Sequence, residues 1–182
     1  MNDISIITLH GKTPRIDPSA FIAPGCRIIG DVDIGPGASI WYNCVLRADV
    51  NFIRVGARSN VQDGTVIHCD SAEGGMNGSP TIIEEDALVG HMAMLHGCTI
   101  RKGALVGLGS IVMDGCVIEA NAMLAAGAML TPGKIIPERQ MWGGRPARFM
   151  RDLDEAWSIG NQMAVSHYVH NGAAHKAANE AI

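Results

Sequence analysis

The chain has 182 residues, a net charge of −4, and 47% hydrophobic residues of which few are aromatic. Its length suits one domain, and no apolar run reaches the roughly 18 residues of a membrane span. The mildly acidic balance offers no basic surface for nucleic acid or an anionic membrane, so neither partner is expected.

Met1 to His10 has neither a basic start nor a long apolar run, so no signal peptide is expected there. Aliphatic residues then recur every six positions at Ile16, Ile22, Ile28, Ile34, Ile40 and Leu46. After a short insertion, Phe52-Ile53-Arg54, the rhythm resumes at Val55, Val61 and Ile67. A Gly- and Ser-rich loop over 71–81 interrupts it again, and it returns at Ile83, Val89 and Leu95. One five-residue step leads to Ile100, after which the period holds to Ile136. Four residues after each aliphatic sits a small one, such as Ala20, Cys26, Val32, Cys44, Val50, Thr65 and Ala93. Just before it is often a Gly, Asp or Asn, as at Gly25, Asp31, Asn43 and Asp86, types that tolerate tight turns and positive φ.

A helix would repeat at three and four residues, and a lone strand at two. A period of six with one large and one small inward residue predicts short strands separated by corners, three to a turn, around a thin triangular core. The shortage of aromatics agrees, because such a core has no room for many rings. The hexads give about six turns of a stacked solenoid. The repeat resembles that of left-handed parallel β-helix proteins, an exception to the right-handed crossover rule. The expected class is therefore mainly β, a left-handed parallel β-helix with a C-terminal α-helix packed alongside.

The repeat ends after Ile136, and Gly143-Gly144-Arg145-Pro146-Ala147 turns the chain. The expected organisation is a β-helix domain over 1–143 and a C-terminal turn and helical segment over 144–182. From about Arg148 the composition is helical, with Phe149, Leu153, Trp157, Val165, Tyr168 and Val169 as an apolar stripe facing the prism. Gly160 is a candidate kink, and the tail beyond Asn171 is expected to fray. Of the five cysteines, Cys26, Cys44 and Cys116 fall at small inward positions. The odd count without a disulfide framework predicts a reducing compartment and a cytoplasmic protein.

The repeat also places the histidines. Leu46, Ile67 and Leu95 begin hexads on one face of successive turns, so Arg47, His68 and His96 form a column, with neighbours about 5 Å apart. Two imidazoles at that spacing can reach one metal ion. His91 occupies the third place of a hexad on a different face and cannot easily join them within one chain. A neighbouring copy could present it, so the spacing predicts a three-histidine site shared between subunits of a trimer. Such a set with an open fourth position is that of a catalytic zinc, which lowers the pKa of bound water to about 7 and supplies hydroxide. Fe(II) or Co(II) also suits the set. Cys69 is a candidate fourth ligand, but a thiolate would close the site. His10, His167, His170 and His175 lack the register and read as solvated or structural.

The motifs Arg47-Ala48-Asp49, Gly56-Ala57-Arg58-Ser59-Asn60-Val61-Gln62-Asp63-Gly64, His68, and Gly90-His91 through Leu95-His96-Gly97-Cys98 resemble those of the γ-class carbonic anhydrases. The resemblance covers roughly residues 10–150 and extends to relatives named as phenylacetate-degradation, carnitine-operon and ferripyochelin-binding proteins. It implies a homotrimer with interfacial metal sites that catalyses the reversible hydration of CO₂ to bicarbonate by metal-bound hydroxide. His68, His91 and His96 match the metal ligands. Arg47 and Asp49 match an Arg-x-Asp pair that ties subunits and orients the site. Gln62 matches the hydrogen-bond partner of metal-bound solvent, Asp63 an acid behind the ligands, and Tyr168 a tyrosine near the pocket. The same residues also admit structural roles: a salt bridge for Arg47 and Asp49, a corner cap for Gln62 and Asp63.

Two departures from the family's prototype bear on turnover. Val50 stands where the prototype has a proton-shuttling glutamate. The prototype's acidic loop is replaced by 71–81, with Glu73 its one acid and Asp70 just before it; Glu84 and Glu85 lie beyond. Metal-dependent hydrolysis of an acyl-CoA thioester and a non-catalytic metal-binding trimer are the alternatives. A hexapeptide acyltransferase would use one histidine as a general base and ranks below both.

Overall fold

Short strands form because each hexad alternates an inward aliphatic with outward neighbours and then turns. The computed structural model describes residues 3–71 and 78–180. Met1 and Glu73, both part of the sequence reading, lie outside them. In chain order the strands begin with β1 (Ser5–Ile7), β2 (Arg15–Ile16), β3 (Phe21–Ile22), β4 (Arg27–Ile34), β5 (Ser39–Ile40) and β6 (Val45–Val55). They continue with β7 (Asn60–Val61), β8 (Val66–His68), β9 (Thr81–Ile83), β10 (Leu88–Val89), β11 (Met94–His96), β12 (Thr99–Ile100) and β13 (Leu105–Val106). The last are β14 (Ile111–Val112), β15 (Val117–Ile118), β16 (Met123–Leu124), β17 (Met129–Leu130), β18 (Ile135–Ile136), β19 (Gln140–Gly143) and β20 (Arg148–Asp152), before helix α1 (Glu155–Glu180).

The strands stack in parallel on three faces of a left-handed coil of about seven turns. One face carries β1, β4, β6, β8, β11, β14 and β17. A second carries β3, β5, β7, β10, β13, β16 and β19. The third carries β2, β9, β12, β15 and β18, together with the far ends of β4 and β6, which cross a corner and serve two faces. The hexad count expects about six turns; β1 and β19, which lie outside the hexad rhythm, join the first two faces and lengthen the stack.

Every repeat aliphatic from Ile28 to Ile136 is buried, and so are the small corner residues Cys26, Val32, Cys44, Thr65 and Ala93. The residue before the small one has positive φ at each of the expected Gly, Asp and Asn positions except Asp31. There the chain departs from the expectation. Gly30 pairs with Ala48, and Val32 with Ile53, so Asp49 to Phe52 bulge out opposite Asp31 alone. Ile53 takes the inward place opposite Val32, and Val50 is only partly buried. The insertion is therefore in the bulge, and Ile53 belongs to the core.

The C-terminal segment also differs from its expectation. Residues 148–152 are a strand paired antiparallel with β19, which leaves Phe149 51% exposed and outside any apolar stripe. The helix starts only after Asp154, whose Oδ1 accepts the Trp157 amide at 2.9 Å as an N-cap. It runs without a break through Gly160 and on to Glu180, so Gly160 does not split it. Asn161, Val165 and Gly172 are its buried side, and it packs on β3, β5 and β7. His175 is structural: its Nδ1 lies 2.9 Å from the Tyr42 hydroxyl, and its ring packs 4.9 Å from that of Trp41. All five cysteines are free and buried.

Candidate metal centre

Alternation along β8 and β11 sends Ile67 and Leu95 into the core and His68 and His96 outward. Leu46 pairs with Ile67, and His68 with His96, so Arg47, His68 and His96 form one column. The two imidazole centroids are 4.9 Å apart, and His68 Nδ1 lies 2.9 Å from His96 Nε2.

The far nitrogen of each ring meets a carboxylate. His68 Nε2 is 2.7 Å from Asp49 Oδ1, and His96 Nδ1 is 2.5 Å from Asp114 Oδ1. An ionised carboxylate only accepts, so both far nitrogens donate. In neutral rings the two facing nitrogens are then bare lone pairs, which repel unless a cation joins them. Imidazole nitrogen is a common ligand of divalent transition ions. A carboxylate on the other nitrogen fixes the tautomer such a ligand needs. The donor set therefore fits a metal ion.

His91 sits elsewhere, at the corner between β10 and β11, where Met92 has φ +57°. Val89 pairs with Val61, which stacks His91 beneath Asp63, and His91 Nδ1 lies 2.8 Å from Asp63 Oδ2. Its Nε2 is left bare. All three histidines thus have a carboxylate on one nitrogen; the other nitrogens of His68 and His96 face each other. Among the described residues, no group of three histidine, cysteine, aspartate or glutamate side chains is arranged to hold a metal ion within the chain.

Of the other expected site residues, Arg47 and Asp49 lie beside the histidine column, and Gln62 and Asp63 lie at the His91 corner. Arg47 pairs with Asp49 beside the histidine column. Burial raises the Asp49 carboxyl, but hydrogen bonds from His68 and Arg47 outweigh it and leave the group below its ordinary value. Gln62 is buried at the His91 corner, where its Nε2 donates to Asn60 Oδ1 at 2.9 Å. Tyr168 packs edge-on against Trp41 at 5.6 Å, and burial together with the charge of Asp63 raises its phenol above the ordinary value. Cys69 points into the core, its Sγ 3.9 Å from the Arg47 carbonyl oxygen, and takes no part in the column. Glu84 pairs with Arg101 and Glu85 with Lys102, away from the histidines.

Asp114, which the hexad pattern does not single out, also belongs to this cluster. Its signal was the five-residue step after Leu95, which shifts the next turn by one residue and brings Asp114 under His96.

No family model matches this chain. Gamma carbonic anhydrase 2, mitochondrial, of Arabidopsis thaliana is 40% identical over 175 residues, 96% of this chain and 63% of the relative. A carbonic anhydrase of Geobacillus kaustophilus is 42% identical over 172 residues, 94% of this chain and 91% of the relative. The chain belongs to the γ-class carbonic anhydrase family. It spans less than two thirds of the Arabidopsis relative's length and nearly all of the bacterial one. A solved hexapeptide transferase family protein from Anaplasma phagocytophilum is 43% identical, with a TM-score of 0.86 over 94% of this chain and 98% of that one. This family implies a metal cofactor, in keeping with the donor set of His68 and His96. No helix among the described residues is long and apolar enough to cross a membrane.

Proposed function

We propose that the chain is a carbonic anhydrase that hydrates CO₂ reversibly to bicarbonate, with each site completed by two subunits of a homotrimer. The observation that carries this reading is the split donor set. His68 and His96 present converging bare nitrogens on one face, and His91 presents a third from a separate corner. A cyclic trimer brings one surface against the other in a neighbouring copy. The surroundings support such burial. At the His91 corner Met92 is 70% exposed and Leu108 58% exposed. Beside the histidine column, Val66, Met94, Ile111 and Met129 form an outward apolar row. Exposed apolar surface of this kind marks an association site.

His68, His96 and the neighbour's His91 would hold zinc, with Fe(II) or Co(II) as other ions the set accepts. When bound, zinc lowers the pKa of a coordinated water to about 7. Asp49, Asp114 and Asp63 each accept a hydrogen bond from one ligand ring and so fix its orientation. Gln62 has its amide nitrogen committed to Asn60, which leaves its carbonyl oxygen free to accept from water or from a bicarbonate hydroxyl. Arg47 steadies Asp49 from outside the column.

Hydration joins a hydroxide oxygen to the CO₂ carbon and releases one proton per turn. Val50 offers no titratable group for that proton. Asp49, held below the usual carboxylate range, is a weak base at neutral pH. Neither residue serves as a shuttle, so external buffer is the proposed final acceptor of the proton, with His10 in the same cavity as both. The five buried free thiols support a reducing, cytoplasmic setting.

The test is metal analysis of the purified protein together with stopped-flow CO₂ hydration. About one zinc ion per chain and hydration well above background are expected. A fully metallated protein that leaves CO₂ untouched but cleaves acetyl-CoA would replace this reading with acyl-thioester chemistry.

A further inference from the structure

The carboxylate on His96 depends on an irregularity of the coil. Leu95 pairs with Val112, and Thr99 pairs with Val117. The upper turn thus spans one residue fewer than the lower between the same two rungs. The surplus falls at Met113-Asp114, opposite His96-Gly97, and carries the Asp114 carboxylate out to the imidazole. Gly97 makes the space. It has φ +52°, and a Cβ built on it would lie 2.4 Å from Asp114 Oδ1 and 3.0 Å from Ser79 Cβ.

We infer that Asp114 is a positioning residue for the metal centre: it holds the proton of His96 on Nδ1 and keeps Nε2 bare toward His68. Gly97 is required for that contact. A free neutral imidazole favours the proton on Nε2, so without Asp114 an N–H would point between the two rings and block a shared cation. The role in metal binding rests on the function proposed above; the tautomer does not.

Two measurements separate these parts. Long-range ¹⁵N–¹H correlation spectra of the metal-free protein, recorded at a pH at which the ¹⁵N shifts themselves show neutral rings, report the tautomer of His96. Competition with a chelator reports the zinc affinity. In the unaltered protein His96 should carry its proton on Nδ1. In Asp114→Ala it should move to Nε2, and zinc affinity should fall roughly 10- to 100-fold, as expected for loss of a carboxylate behind a ligand. Gly97→Ala should act in the same direction, because its methyl displaces the carboxylate; it carries the test should Asp114→Ala fail to fold. Asp114→Asn retains an acceptor oxygen and should keep the tautomer with a smaller loss of affinity. An unchanged tautomer in the alanine variants would overturn the inference. So would a changed tautomer with unchanged zinc affinity. If the unaltered protein binds no zinc, the proposed metal function fails, and the tautomer alone decides whether Asp114 positions His96.

Discussion

Mixing two inactive variants gives the sharpest test of a site divided between chains. His68→Ala removes a ligand from the column and leaves the His91 corner intact; His91→Ala does the reverse. Both positions are partly exposed and outside the core, so both variants should fold and assemble. Each homotrimer should lack metal and activity. In a cyclic trimer every site joins the column of one chain to the corner of the next. Random exchange at equal amounts makes about three quarters of trimers mixed, and each mixed trimer has one interface where an intact column meets an intact corner. About one quarter of all sites should therefore be whole. Zinc content and CO₂ hydration should both recover to about a quarter of the unaltered level. If tagged chains prove that subunits have exchanged and neither quantity rises, the shared site is wrong.

Three further outcomes are expected. Val50 lines a cavity of about 280 Å³ with Asp49 and His10, so Val50→Glu should place a titratable carboxyl there. CO₂ hydration should depend steeply on imidazole buffer in the unaltered protein and weakly in the variant, as stopped-flow rates across buffer concentrations will show. Leu95 is fully buried and sets the register of His96, so Leu95→Ala should cost about 2–5 kcal/mol; a loss under about 1 kcal/mol in urea unfolding would contradict the packing. Burial and Asp63 raise the Tyr168 phenol, so the folded state holds that proton more tightly than the unfolded chain. Stability from this source is complete below the unfolded value of about 10 and declines as pH rises through the folded value. Tyr168→Phe should flatten that alkaline decline, and tyrosinate absorbance should show a phase later than that of free tyrosine.

What could be read before the structure was what strand geometry fixes locally. Alternation along a strand puts Ile67 and Leu95 inside and His68 and His96 outside whatever the rest of the coil does. The same alternation, with a period of six, placed the two histidines in one column and left His91 at another corner. Helical composition was a weaker guide. The residues around Phe149 suit a helix, yet β19 offers an unpaired edge, and pairing with it won; the helix waits for the cap at Asp154.

The sequence by itself determined the coil, its thin core and the direction in which each histidine leaves it, because these follow from a backbone period that repeats within a few residues. Only the tertiary structure decided how successive turns lie over one another. It turned Asp49 to Phe52 into a bulge, moved Ile53 inward in place of Val50, and carried Asp114 up to His96. Those outcomes depend on the difference in length between two turns many residues apart, and on space such as that left by Gly97. Register accumulates from corner to corner, so a one-residue surplus is felt only where the turns meet.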